Sequence, residues 1–182
     1  KTELPDGNLA MAQAYVFNLR REKFQDRRVR EALAMMFNFE WSNAQLFYGL
    51  YKRVQSFWGN SELEARGVPT EGERAVLQPL VDQGLLSAEI LTDEAVMAPV
   101  SGQRQLDRKN LRRASQLMDE AGWRVNADGM REKDGQVFTL EVLDSSPAFD
   151  RITNPMIENM KALGIDARLN RVDTAQESER TR

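Results

Sequence analysis

The chain has 182 residues, of which 41% are hydrophobic and 29% charged, and this fits one or two globular domains with a core of their own. Its net charge of -3 excludes a chain that is built as a whole to hold nucleic acid by charge. The absence of cysteine excludes disulfides, thiolate catalysis and cysteine-ligated metal, and the absence of histidine removes the commonest general base.

No apolar run reaches the ~18 to 20 residues that a membrane-crossing helix needs. The first residues, KTELPDGNLA, lack the charged-then-apolar pattern of a signal peptide. Both ends favour a fragment of a longer protein, because the chain starts at Lys1 rather than methionine and RVDTAQESERTR carries no terminal structure signal.

The first predicted elements are a strand over 14–20 and a helix over 27–38. In the strand, aromatic and apolar residues recur at every second position, so they lie on one face of the strand. In the helix, which Asp26 can cap, apolar residues recur at helical spacing on one face: Val29, Ala32, Leu33, Met36 and Phe37. A second helical piece is predicted over 41–48, ended by Gly49.

The segment KFQDRRVREALAMMFNFEW places cations at the start of this helix, where the dipole disfavours them by roughly a few tenths of a kcal/mol. Three interpretations are open: a DNA-reading helix, a basic membrane-surface helix, or a packed helix. A DNA-reading helix would follow another helix, and a membrane-surface helix would carry cations along its whole polar face. We therefore expect Arg27, Arg28 and Arg30 to pair with acidic side chains or carbonyls.

The segment from Tyr51 to Asn60 is irregular and mixes aromatic side chains with polar donors. This mixture is typical of a ligand groove, and equally of a loop that pins itself to a core. Next, the capping-box spacing of Thr70 and Glu73 predicts a helix that Pro79 interrupts and Gly84 ends. The following residues, to about 105, have no clean period and are predicted to be a long connection.

The last third predicts helices over 107–121 and 148–163 and strands over 137–143 and 165–172. Turn dipeptides at Asp128-Gly129 and Asp134-Gly135 precede the first of these strands. Pro155 is expected to kink or split its helix. The order strand, helix, strand predicts a parallel crossover.

Catalytic signatures are missing from the sequence. It has no Gly-rich phosphate loop, no nucleophile elbow and no calcium loop. The adjacent carboxylates Asp93-Glu94 and Asp119-Glu120 would point apart on a helix and cannot share a proton. The residues alone thus favour a protein without catalytic function and do not go further.

Three segments resemble the family 5 extracellular solute-binding proteins of ABC importers: FNLRREKFQDRRVREALAMMFNFE, ASQLMDEAGWRVNADGMREKDGQVFTLEVL and NMKALGIDARLNRVD. In the first segment the matching residues are Asn18, Phe24, Asp26, Arg28, Val29, Arg30, Ala32 and Leu33. In the second they are Ala114, Leu117, Met118, Ala121, Gly122, Trp123, Asp128 and Gly129. Within this family, the sequence looks most like the Yej-type subgroup, which are periplasmic binding proteins for oligopeptides and peptide antibiotics such as microcin C.

The resemblance implies an α/β fold, part of one lobe of a periplasmic binding protein-like type II fold, with a small mixed sheet and flanking helices. The chain would be a single unit over 1–182 from the second lobe of a longer protein. The family's Gln-Tyr-x-x-Arg is QESER here, so we expect a disordered tail over 176–182.

The implied function is capture of oligopeptides in the periplasm for import, with the membrane permease subunits of an ABC transporter as partners. No reaction, cofactor, metal or nucleic acid is expected, and the protein is expected to be a monomer. Tyr51, Arg53, Phe57 and Trp58 are the candidate ligand-binding residues. Two alternatives stay open, a protein–protein interaction domain and a carboxylate-based enzyme.

Overall fold

A computed structural model describes residues 13–59 and 61–181 of the protein. These residues form two compact units, one of 13–15 with 53–98 and the other of 16–52 with 99–181. The sequence predicts a single unit, and this stays a prediction for the lobe of the longer protein. Every buried hydrophobic residue of the described chain belongs to the second, larger unit.

The described chain runs through four α-helices and then four short strands, and it ends with a helix, a strand and a helix. The helices are α1 (Arg27–Ala34), α2 (Phe39–Leu46), α3 (Glu71–Asp82), α4 (Arg108–Glu120), α5 (Asp150–Ala162) and α6 (Thr174–Thr181). The strands are β1 (Arg124–Val125), β2 (Arg131–Lys133), β3 (Gln136–Val137), β4 (Thr139–Asp144) and β5 (Asp166–Arg171). The predicted mixed α/β class is therefore confirmed.

Two small sheets form in the larger unit, where one small mixed sheet was expected. Strands β1, β2 and β3 make an antiparallel sheet, and the β2–β3 turn uses Asp134 and Gly135, both at positive φ (51° and 76°), as the turn dipeptide predicts. Strands β4 and β5 pair in parallel, with Leu140 opposite Ala167. Helix α5 connects them, so the predicted parallel crossover is confirmed.

The core of the larger unit lies where α1 packs against α4 and α5 packs against β5. Its members are the apolar faces of these elements together with Phe138, which separates β3 from β4 and is fully buried. The buried hydrophobic residues of these helices and of the positions just after them are Val29, Ala32, Leu33, Met36, Ala114, Leu117, Met118, Ala121, Met156, Ile157, Met160 and Leu163.

Three buried asparagines hold the irregular segment 100–105 against the helices. Asn38 donates from Nδ2 to the carbonyls of Gly102 (2.9 Å) and Arg104 (2.7 Å), while its Oδ1 caps α2. Asn110 donates to the carbonyl of Val100 at 3.0 Å, and Asn159 to residue 105 at 3.0 Å. The carbonyls of a loop that runs over the core are thus paired, as buried backbone groups require.

The buried guanidinium of Arg131 ties β2 to both long helices. The residue is 1% exposed. Its Nη1 donates to Asp119 (2.5 Å) and to the carbonyl of Trp123 (2.9 Å), and its Nε donates to the carbonyl of Leu163 (3.1 Å). Its Nη2 contacts the Ser115 hydroxyl. The Arg131 side chain therefore bonds acceptors on α4, just after α4 and just after α5.

Gly164 makes the closest backbone approach in this region. Its carbonyl accepts from the Arg131 amide at 2.6 Å, and its φ is +91°. A Cβ at this position would lie 2.8 Å from the carbonyl oxygen of Gly129. Glycine is therefore needed here both for the backbone conformation and for the space.

The predicted strand over 14–20 is wrong. Residues 13–18 have no assigned secondary structure, and Val16 is 91% exposed. A strand needs a hydrogen-bonded neighbour, and among residues 13–59 and 61–181 none pairs with this segment. Phe17 packs instead against Phe24, with ring centroids 5.6 Å apart.

The predicted helix over 27–38 is shorter than expected, because α1 ends at Ala34, and the second helix predicted over 41–48 is α2, which Asn38 caps. Neither proline splits its helix, since Pro79 lies within α3 and Pro155 within α5. Packing of α5 on β5 compensates for the backbone bond that proline removes. The expected disordered tail over 176–182 is also wrong as far as Thr181, because α6 is helical there, and Ser145 donates to Glu177 at 2.6 Å.

In the smaller unit, α3 begins with the predicted capping box. Thr70 and Glu73 exchange hydrogen bonds between their side chains and backbone amides. None of the helix residues is buried. Within the described chain, no helix combines the length and apolar character needed to span a membrane.

We predict that Arg131→Met destabilises the complete protein by about 3 kcal/mol, because two carbonyls lose their donor. Asp119→Asn should cost only about 1 kcal/mol, since the Asp119 side chain is 54% exposed and Arg131 keeps its other acceptors. Denaturant unfolding measures both, and Arg124→Met, on an exposed strand position, is the control. Equal losses for Arg131→Met and Arg124→Met would contradict the assignment.

Gly164→Ala should destabilise the protein more than Gly135→Ala does. Both glycines have positive φ, which costs an L-residue about 1 kcal/mol. A Cβ at Gly135 meets nothing within 4 Å, whereas one at Gly164 meets a backbone oxygen. Thermal melts of the two variants separate the steric cost from the conformational one, and identical melting temperatures would rule out the steric part.

Candidate functional site

The predicted site residues fall in both compact units. Tyr51 belongs to the larger unit and is 57% exposed. Its ring meets the ring of Phe47 edge-on, with 4.7 Å between the ring centroids. Both backbone groups of Tyr51 bond the side-chain amide of Asn43, at 2.7 and 3.0 Å. Arg53, half-buried, belongs to the smaller unit with Phe57 and Trp58, and Asn60 lies outside the described residues.

Phe57 and Trp58 lie together on a tight turn. Their ring centroids are 5.1 Å apart at an interplanar angle of 85°, and the side chains are 86% and 55% exposed. The Gly59 amide donates to the Ser56 carbonyl at 3.0 Å, and the Trp58 amide donates to the Ser56 hydroxyl at 3.2 Å. The turn is therefore held by its own backbone, and Phe57 does not anchor it to a core.

A polar group at the carboxyl ends of β4 and β5 was not predicted as a site. Asp144 and Arg171 are paired in register, with 3.2 Å between the Arg171 Nη1 and the Asp144 Oδ1. Arg171 also pairs with Asp150, the first residue of α5. Ligands of open α/β sheets bind beyond the carboxyl ends of parallel strands. We call Asp144, Ser145, Asp150, Arg171 and Glu177 the strand-end group.

One signal in the sequence could have revealed the strand-end group. The polar run DSS follows the predicted strand 137–143 directly and precedes the predicted helix. Arg171, in contrast, is 27 positions beyond Asp144 in the sequence, and only the parallel pairing of β4 with β5 brings the two side chains together.

The basic segment at α1 is paired, as predicted. Arg28 donates to both carboxylate oxygens of Asp26 and, at 2.7 Å, to the carbonyl of Glu120. Arg27 pairs with Glu31 at 2.7 Å. Arg30 donates to two carbonyls of the preceding turn, at 24 and 25, each at 2.7 Å. These arginines therefore have the acidic and carbonyl partners that the sequence predicts, and Arg28 also links α1 to the end of α4.

The carboxylate of Asp26 accepts hydrogen bonds from both the side chain and the backbone amide of Arg28. The hydrogen bond from the Arg28 side chain is the largest influence that lowers the pKa of Asp26 below its ordinary value, and the backbone bond from Arg28 adds to it.

Metal binding is a separate matter: among residues 13–59 and 61–181, no group of three or more His, Cys, Asp or Glu is placed to hold an ion.

Comparison with known proteins identifies the relatives of the chain. The family model described as "Bacterial extracellular solute-binding proteins, family 5 Middle" matches residues 3–182. The "Probable peptide-binding protein YejA" of Agrobacterium fabrum is 40% identical, covering 100% of this chain and 30% of its own length. The "Peptidoglycan-binding protein YepA" of the same organism is 32% identical, covering 98% and 28%. The chain thus spans less than a third of these relatives.

Solved structures share the fold. NikA from Brucella suis, in complex with Fe(III)-EDTA, has a TM-score of 0.58 at 22% identity, over 90% of this chain and 26% of that one. AppA from Bacillus subtilis, in complex with a nonapeptide, has a TM-score of 0.53 at 24% identity over the same shares. The predicted fold, part of one lobe of such a binding protein, is confirmed.

We predict that Asp26→Asn lowers the free energy of unfolding at neutral pH by up to about 1 kcal/mol, although asparagine still caps α1. A lowered pKa means that the carboxylate contributes fully above the ordinary aspartate pKa of about 3.9 and loses its contribution as the pH falls below it. The difference between wild type and variant should therefore shrink in acid. Denaturant unfolding from neutral to acidic pH measures it, and a constant difference would contradict the ion pair.

Proposed function

Because this chain belongs to the family 5 bacterial extracellular solute-binding proteins, we propose that the complete protein captures oligopeptides in the periplasm and delivers them to the membrane subunits of an ABC importer. The complete protein is the subject of the proposal, since the chain spans 30% or less of its relatives. Binding and release are its task, and no covalent step is part of it.

Peptide is favoured over other solutes by two lines of support. A relative 40% identical to this chain is named a probable peptide-binding protein, and AppA was solved with a nonapeptide. The second line, the exposed aromatic pair Phe57 and Trp58, carries the proposal. Aromatic faces bury the apolar side chains of peptides of many sequences without requiring a particular one.

Arg53 adds a charged group to the same compact unit as the aromatic pair. A guanidinium can donate two parallel hydrogen bonds to a carboxylate, such as the carboxyl terminus or an acidic side chain of a peptide. Tyr51, on the larger unit, is proposed as a peptide contact on its own account, because its ring is exposed and its backbone is held by Asn43.

The strand-end group supports the proposal separately. A peptide brings backbone N–H and C=O groups that lose water on binding and need new partners. Carboxylates accept from N–H groups, and the hydroxyl of Ser145 both donates and accepts. Excluding water around such bonds strengthens them, which is what closure of two lobes on a ligand would add.

We predict that Trp58→Ala and Arg53→Ala each weaken peptide binding by the complete protein at least about fivefold, as loss of an aromatic or arginine contact does. Calorimetric titration against a peptide mixture measures the affinity, with thermal melts to check stability. Leu85→Ala, which removes an apolar side chain that is 67% exposed in the same compact unit, is the matched control and should bind as wild type does.

A second titration decides the class of solute. Relatives of this fold were solved with Fe(III)-EDTA and with Ni(L-His), so the complete protein would also be titrated with these chelates. Tight chelate binding without peptide binding would replace the proposal. Wild-type affinity in both Trp58→Ala and Arg53→Ala would show that the loop is scaffold and that these site assignments are wrong.

A further inference from the structure

A second basic segment lies at the start of α4 and differs from the one at α1. Arg104, Arg108, Lys109 and Arg112 are all exposed, and no described acidic residue forms an ion pair with any of them. We call these four residues the α4 basic patch. Three of them share one helix face, because Lys109 and Arg112 are three residues apart and Arg108 and Arg112 four.

The concave part of the patch lies between segment 100–105 and the first turn of α4. Arg104, Arg108 and Lys109 line a concavity of about 280 Å³ there, together with Leu106. Asp107, the one acidic side chain in its lining, is occupied, because it accepts hydrogen bonds at 2.8 Å from the amides of Gly102 and Asn110. The positive end of the α4 dipole adds to the field of the cations.

The cations at α4 differ from those at α1 in their partners. At α1 each arginine has a carboxylate or a carbonyl as its partner. At α4 only Lys109 is attracted to a described carboxylate, that of Asp107, which already accepts from backbone amides. Arg108, at the first position of the helix, opposes the helix dipole, which is unfavourable in the isolated fold. The surface thus favours an anion from outside the described chain.

The composition of the patch indicates which kind of anion. A specific protein partner is held by aromatic or apolar anchors at the centre of its interface, and the concavity is lined by no aromatic residue. Four exposed cations that no described side chain orients suit a surface of many interchangeable phosphates. Because the whole chain has a net charge of -3, the remainder is acidic and repelled by such a surface.

We propose that the α4 basic patch docks the protein onto the anionic phospholipid headgroups of a membrane surface. Each cation near an anionic bilayer raises the binding constant about fivefold. Four cations concentrate the protein at the membrane and leave it free to dissociate, since stable anchoring takes a second signal. For an importer component, this places the captured solute near the membrane subunits.

The test uses the complete protein in vesicle co-sedimentation. Vesicles of phosphatidylcholine alone are compared with vesicles that also contain phosphatidylglycerol, at ~0.05 M and at ~0.5 M salt, where screening shortens to about 4 Å. Wild type should bind only the phosphatidylglycerol vesicles, and only at low salt. The triple variant Arg108→Gln/Lys109→Gln/Arg112→Gln should lose roughly 100-fold in binding.

The matched control is Arg20→Gln/Arg74→Gln/Arg124→Gln, which makes the same change in net charge at exposed positions outside the patch. Equal losses in the two triple variants would overturn the proposal, as would no preference for phosphatidylglycerol. Displacement by millimolar glycerol phosphate would indicate a discrete phosphate site instead, and retention by polyglutamate without vesicle binding would indicate an acidic protein. Peptide affinity should be unchanged in the patch variant, so this proposal and the peptide proposal can fail separately.

Discussion

A buried guanidinium must find an acceptor for its donors, and Arg131 finds them on two elements that are distant in the sequence. Asp119 and Ser115 lie on the last turns of α4, and the carbonyl of Leu163 follows α5. Because the charge is buried, an alternative packing of β2 would leave it unpaired at high cost. The position of the antiparallel sheet relative to α4 and α5 depends on this side chain.

Asparagines play the corresponding role at the other end of α4. Segment 100–105 has no regular structure, yet its carbonyls are paired by the amides of Asn38, Asn110 and Asn159 from α2, α4 and α5. A loop held in this way has a defined course, since its buried carbonyls have no competing water. The α4 basic patch is therefore displayed on a base that these hydrogen bonds hold in place.

The relatives show how little the fold says about the solute. NikA with Fe(III)-EDTA and AppA with a nonapeptide both resemble this chain over 90% of its length. The solute must be decided by side chains on the shared frame. In this chain the side chains proposed for that role are the exposed pair Phe57 and Trp58 and the strand-end group.

The local sequence pattern was sufficient to predict the elements whose buried side chains recur at a regular period. Helices α4 and α5 and strands β4 and β5 lie close to their predicted bounds, because burial of one face imposes a period of 3.6 or 2 on the sequence. The candidate residues Phe57 and Trp58 could be selected from composition, as could the family from its motifs. The same reasoning failed at 14–20, where the alternation is present and a partner strand is not.

What the sequence by itself determined, then, was the type of most elements, the caps at Asp26 and Thr70, and the family. Only the tertiary structure decided which polar residues meet. The contact of Arg131 with Leu163 spans 32 positions, and the pairing of Asp144 with Arg171 depends on the register of two parallel strands. Such contacts leave no periodic trace, because a hydrogen bond requires two groups to be close in space and places no constraint on the residues between them.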